Sequence, residues 1–234
     1  MDGMLSQDEI NALLSGDDSS GGAAEENTAG FDGMEADDSL LSDIEKDAVG
    51  EVANISMGAS ATTLFSIVNR KVNITTPVVK MATWKNVLED YEKPCVFILI
   101  KYTQGLDGSN ILILKEHDVK IITDLMMGNG GVGKFSTGDI TPLHISAVSE
   151  AMNQMTASSA TAMSKMFNKK IDISPPSVQQ IVVENFELPN EIPDDLFVKI
   201  NFRLKIGKLI DSTIMQLYPF DLAHSIYKLF QRRN

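Results

Sequence analysis

The chain has 234 residues, 43% hydrophobic and 22% charged, proportions that exclude a wholly disordered, collagen-like or membrane-embedded protein. Its net charge of −12 is lopsided: 13 of the 32 acidic side chains, and none of the 20 Lys and Arg, fall in the first 45 residues. The remainder is nearly neutral, which excludes nucleic acid as a partner because phosphate binding needs a concentrated basic surface.

Cys95 is the single cysteine, so no internal disulfide can form and a reducing compartment is expected. The opening MDGMLSQDEINALL has neither a basic n-region nor a long apolar run, unlike a secretory signal. Apolar runs such as Val96 to Ile100 are far short of a bilayer span, so a soluble, cytoplasmic protein without membrane insertion is expected.

Residues 1–16 predict a short amphipathic helix. Ser6 with Glu9 forms a capping box, Leu5 and Ile10 fit the staple around it, and Ile10, Leu13 and Leu14 make one apolar stripe before Gly16. Two turns are too few to be stable alone in water. Either this is a frayed terminus or a peptide that folds in a partner's groove. Residues 17–38 are Gly, Ser and acid with one aromatic, a composition that predicts a flexible acidic linker.

From about residue 39 the chain repeats itself. DAVGEVANISMGASATTLFSIVNRKVNITTPVV (47–79) aligns with SAVSEAMNQMTASSATAMSKMFNKKIDISPPSV (146–178) at a constant offset, pairing Glu51/Glu150, Asn54/Asn153, Asn69/Asn168 and Pro77/Pro176. Two copies imply a pseudo-twofold domain rather than a solenoid. Each copy, about 43–128 and 142–231, predicts a long helix (43–68 and 142–167) and then three β-rich segments. These are 72–81, 96–102 and 110–114 in the first copy, and 171–183, 196–206 and 213–217 in the second. A closing helix follows (118–127 and 221–230). Strands with helices segregated beside them define an α+β fold.

Two motifs are decoys. GNGGVGK (128–134) matches both G-x-G-x-x-G and G-x-x-x-x-G-K, but a helix precedes it and Phe135 follows Lys134. Phosphate loops need a strand before, a helix after and a Ser or Thr for magnesium; this segment reads as a linker between repeats. His117, His144 and His224 lie far apart, and no Cys or His pair has metal-ligand spacing, so no metal site is expected.

The repeated polar stripe is the candidate site. Asp47, Glu51, Asn54 and Gly58 share one face of the first long helix, and Ser146, Glu150, Asn153 and Ala157 share the matching face of the second. Ala48, Val52, Ile55 and Ala59 supply an apolar face about 100° around the helix, which predicts that the stripe faces outward. The bland alternative is a pair of solvated helix faces with common ancestry. Against it, Glu and Asn are kept in both copies while neighbours expected to be exposed differ (Gly50/Ser149, Ser56/Met155), and Asn is a poor helix former.

D/S-x-x-x-E-x-x-N, occurring twice about a hundred residues apart, resembles the phosphatase signature of the CheC family. LSQDEINALLSG (5–16) resembles the peptide with which flagellar switch proteins capture phosphorylated CheY. The resemblance implies a CheC-like fold over 39–234 and a water-mediated phosphatase acting on the phospho-aspartate of CheY, with no covalent intermediate. It implies catalytic Glu51, Asn54, Glu150 and Asn153, and a CheY-binding peptide of Leu5, Ser6, Gln7, Asp8, Glu9, Ile10, Leu13 and Leu14. No cofactor of its own is implied, with Mg2+ belonging to the substrate response regulator. Implied partners are switch proteins of the FliM, FliG and FliN type and CheD, at the cytoplasmic face of the flagellar basal body. The alternative is a non-catalytic switch scaffold of the FliM type that only binds phosphorylated CheY. Switch members of the family continue into a FliN-like domain, whereas this sequence stops at Arg232-Arg233-Asn234, which leaves a fragment or a protein outside the rotor as the two readings.

Overall fold

The structure is a computed structural model that describes residues 36–182, 186–190, 192 and 195–233. The expected amino-terminal peptide and most of the expected linker lie outside these residues. Among the described residues, five α-helices, α1 (Asp43–Val68), α2 (Trp84–Asp90), α3 (Glu116–Met126), α4 (Pro142–Phe167) and α5 (Phe220–Gln231), accompany seven strands. The strands are β1 (Val72–Thr83), β2 (Cys95–Gln104), β3 (Ser109–Lys115), β4 (Asp172–Ile173), β5 (Ser177–Ile181), β6 (Leu196–Ile206) and β7 (Ile210–Pro219).

The long helices occupy the spans expected from the sequence because both ends are chemically marked. At the start of α1 the Glu45 carboxylate accepts from Ser42 N at 2.9 Å and Ser42 Oγ accepts from Glu45 N at 3.3 Å, a reciprocal capping box. At the far ends, Asn69 and Asn168 turn left-handed at φ 49° and 47°, a conformation that Asn tolerates and most residues do not. The repeated Asn69/Asn168 pair is therefore a stop signal.

The strands form one antiparallel sheet in the order β1-β6-β7-β3-β2, with β4 and β5 both paired to β2 at the far edge. The pseudo-twofold axis passes between β3 and β7, and it reveals an exchange. β1 of the first repeat pairs with β6 of the second, Val79 opposite Ile200, and β5 pairs with β2, Val178 opposite Ile98. Each repeat thus lends its first strand to the hairpin of the other, and the two halves share one core.

Both faces of the sheet are covered. Val96, Ile98, Ile100 and Tyr102 of β2 point to the side of α1 and α4, joined there by Leu64, Val148, Met152, Phe202 and Leu204. Cys95, Phe97 and Leu99 point the other way, into a smaller cluster around Trp84 of α2. That two-sided burial is why β2 reads as an unbroken apolar run instead of alternating. Leu64 is fully buried, and its truncation to Ala costs about 2–5 kcal/mol by the usual core rule.

Four expectations need correction. The expected strand 171–183 is broken into β4 and β5, because Pro175 and Pro176 have no N–H to give a ladder. The folded body starts before residue 39: Asp37 caps a 3-10 turn (Asp38–Leu40), Asp38 Oδ1 accepts from Met81 N at 2.9 Å, and Leu41 is buried. The inward face of α1 is turned relative to the expected one. Val49, Val52, Ala53, Met57 and Leu64 are buried, while Ile55 is 37% exposed. Finally, Gly50, Ser56 and Met155 are buried, not exposed, so their divergence between copies reflects packing and carries no argument about the stripe. A Cβ on Gly50 would lie 3.2 Å from Val79 Cγ2, so glycine there lets β1 lie close against α1.

Candidate functional site: two Glu–Asn pairs on equivalent helices

Asp47, Glu51, Asn54 and Gly58 are all exposed on α1, and Ser146, Glu150, Asn153 and Ala157 are all exposed on α4, as the spacing predicts. Glu and Asn three residues apart lie one above the other, about 5–6 Å apart at Cβ. Among the described residues, neither Asn carboxamide is tied down by a hydrogen bond within the chain, which leaves a carbonyl acceptor and an NH2 donor presented outward at each site. The stiff support is the helix pair behind them. Ser60 Oγ donates to Met155 O at 2.9 Å, and the Thr63 and Ser158 hydroxyls bond to each other across the same contact.

The two sites differ in their surroundings. On α1, a hollow of about 480 Å³ next to Glu51 and Asn54 is closed by Lys46, Gly50, Pro77 and Val79, so β1 forms one wall. On the other side of Glu51 a second cleft is lined by Ile44, Ala48, Tyr227, Phe230 and Gln231. On α4, Glu150 Oε1 accepts from Gln154 Nε2 at 2.7 Å; the residue at the matching position of α1 is Ile55, which offers no such donor. The sequence reading missed Lys46, Ile44, Tyr227 and Phe230. Ile44 and Leu143 were findable, since they keep the repeat offset, lead their stripes by one turn, and are 71% and 40% exposed.

The glycine loop binds a group of its own chain. The Asp124 carboxylate, fully buried, accepts from Gly131 N and Gly133 N at 2.9 Å each, from Phe135 N at 3.2 Å and from Asn129 Nδ2 at 3.1 Å. Burial pushes its pKa up, but these donors, the Gly133 amide foremost, bring it below the ordinary value. A Cβ on Gly133 would lie 2.6 Å from Asp124 Oδ1, so the loop needs glycine there. The segment is a linker, as expected, and its amides are spent on Asp124. His144 is likewise structural. Its Nδ1 accepts from Thr141 N at 3.0 Å and its Nε2 donates to Phe135 O at 2.7 Å, capping α4. Among the described residues no group of three or more His, Cys, Asp or Glu is placed to hold a metal ion, and no helix is long and apolar enough to cross a membrane.

A duplicated α+β domain with interlocked repeats, each presenting a Glu–Asn pair from its long helix, defines a narrow class. The CheC-like family matches residues 44–81 and 143–179, the two long helices with the segments that follow them. Flagellar motor switch phosphatase FliY of Bacillus subtilis (strain 168) is 47% identical over 223 residues, covering 95% of this chain and 56% of the relative. The chain thus spans about half the length of that curated relative. The crystal structure of Thermotoga maritima FliY superposes with a TM-score of 0.77 at 36% identity, over 83% of this chain and all of that one. The FliM middle domain from H. pylori shares the fold at TM-score 0.63 and 12% identity, over 81% of this chain and 99% of its own. The chain belongs to the CheC-like family.

Proposed function

We propose that this protein is a phosphatase for the phospho-aspartate of a CheY-type response regulator. The observation that carries the reading is the pair of exposed, outward-facing Glu–Asn couples at equivalent positions of α1 and α4. An aspartyl phosphate is an acyl phosphate and hydrolyses spontaneously, so a catalyst needs no nucleophile of its own; it needs a water held in line with phosphorus. Asn54 or Asn153 orients that water through its carboxamide. The water oxygen bonds to phosphorus, the P–O bond to the aspartyl carboxylate breaks, inorganic phosphate leaves with the water's protons, and the regulator's aspartate carboxylate is restored. No bond to this chain forms. Glu51 or Glu150, one turn earlier, pairs with a lysine beside the phosphorylated aspartate and fixes the approach. Mg2+ belongs to the response regulator, where it neutralises the phosphoryl oxygens.

The name of the Bacillus subtilis relative, flagellar motor switch phosphatase, supports this reading, as does its residue-level likeness over nearly the whole chain. The motor-switch part of that name supports a place among flagellar switch proteins; partners of the FliM, FliG and FliN type, CheD as a regulator and a position at the cytoplasmic face of the flagellar basal body belong to the same proposal. Residues 5–14 serve as the CheY-capturing peptide. A non-catalytic binding module is the second reading, favoured by the FliM-like fold, though it gives the Glu–Asn pairs no task. Phosphate release from phosphorylated CheY, with and without the protein, separates the two: acceleration supports the phosphatase, and binding without acceleration supports the scaffold.

A further inference from the structure

We propose that the two sites are unequal, and that the cleft between the start of α1 and the end of α5 is the surface on which the substrate receiver domain docks at Glu51 and Asn54. This deepens the phosphatase reading and rests on it. Three separate features point to the α1 site.

The first is continuity. Asp47 and Glu51 line both the hollow that contains Asn54 and the cleft that contains Ile44, Tyr227 and Phe230, so a protein seated over Glu51 covers both. Ile44 is 71% exposed, high for an isoleucine with half-buried aromatics as neighbours. A transiently bound domain that covers it gains apolar burial only while bound. At the α4 site the residues matching Tyr227 and Phe230 by the later repeat offset are Asp124 and Met127, and the Asp124 carboxylate is taken up by the glycine loop, so that wall is built differently.

The second is the point where the amino-terminal segment joins the body. Asp38 ion-pairs with Lys46 at 3.3 Å and accepts from Met81 N, and Lys46 lines the hollow beside Asn54. A substrate held by a peptide upstream of Asp38 is therefore tethered at a point next to the α1 site. The third is the state of the carboxylates. Glu150 is engaged by Gln154, and that bond must be given up before Glu150 can meet a lysine of the substrate; α1 has Ile55 at the matching position.

The test is a steady-state comparison in the full chain. In an Asn153→Ala background, where only the α1 site works, Ile44→Ser is expected to raise KM roughly tenfold with kcat within about twofold, the signature of lost binding shared by ground and transition states. In an Asn54→Ala background the same change should leave KM unaltered, which a general structural fault would not do. An unchanged KM in the first background, or an equal rise in both, overturns the proposal. Hydrogen exchange with a beryllofluoride-activated receiver domain gives a readout that does not need hydrolysis. Protection of residues 43–51 and 226–232 supports docking in the cleft, and its absence overturns it. Protection without any phosphate release keeps the docking surface and removes the phosphatase reading instead.

Discussion

The Ser60 hydroxyl donates to the Met155 carbonyl at 2.9 Å where α1 meets α4, and both residues are buried. Ser60 lies beyond Asn54 on α1, and Met155 lies two residues after Asn153 on α4, so one bond ties together the helices that carry both pairs. Ser60→Ala removes the donor but leaves the Met155 carbonyl its helical environment. We expect a loss of about 1 kcal/mol in a urea melt, with no change in helical content by circular dichroism. A loss above about 3 kcal/mol contradicts this account of the contact.

Asp124 is the keystone of the connection between repeats. Asp124→Ala leaves the amides of Gly131, Gly133 and Phe135 without their acceptor, and should cost about 2–4 kcal/mol. Its folded pKa lies below its unfolded value, so its stabilising contribution is present above the ordinary aspartate range and is lost as pH falls through the folded value. The stability difference between parent and Asp124→Ala should hold constant at neutral pH and shrink only in strong acid. Thermal melts at several pH values check this.

Asp118 has the opposite sign. It is buried, its Oδ2 has no hydrogen-bond partner, and burial raises its pKa above 3.8 despite Ser212 and His117 nearby. Its folded state binds a proton more tightly than its unfolded state. The associated stability is present below the ordinary value and lost as pH rises through the raised one. Asp118→Asn, which removes the desolvation cost of the ionised form, should raise stability at pH 7 by about 1 kcal/mol and give nothing in acid. A destabilised variant at pH 7 goes against it.

Deleting residues 1–35, and not further, tests the tail. Asp37, Asp38 and Leu41 belong to the folded body, so a cut at residue 38 would remove contacts as well as the peptide. A tether of some twenty residues raises the local substrate concentration to roughly millimolar. The truncation should therefore raise KM and leave kcat near its original value. A collapse of kcat speaks against a purely tethering role.

Much of this was legible in the residues, and the exceptions have physical causes. The helices α1 and α4 could be bounded because Ser42 with Glu45, Asn69 and Asn168 act locally. The shared face of Glu51 with Asn54, and of Glu150 with Asn153, followed from helical spacing; their exposure was inferred from an apolar face that the structure turns, leaving Ile55 exposed. The seven-residue α2 escaped notice because it is too short to show a period, although Thr83 and Asn86 form its cap. The exchange of β1 and β5 between repeats was invisible, since a strand's sequence says that it pairs but not with which partner. The cleft beside Glu51 was missed for the same reason: Tyr227 and Phe230 arrive from the far end of the chain.

The central claim is that Asn54 and Asn153 orient the attacking water. Phosphate release from phosphorylated CheY should be measured with the parent chain and with the double variant Asn54→Ala/Asn153→Ala, alongside thermal melts of both. Both side chains are exposed, so the melts should agree within about 0.5 kcal/mol. The account predicts that the double variant loses nearly all acceleration over spontaneous hydrolysis; release at the parent rate would contradict it.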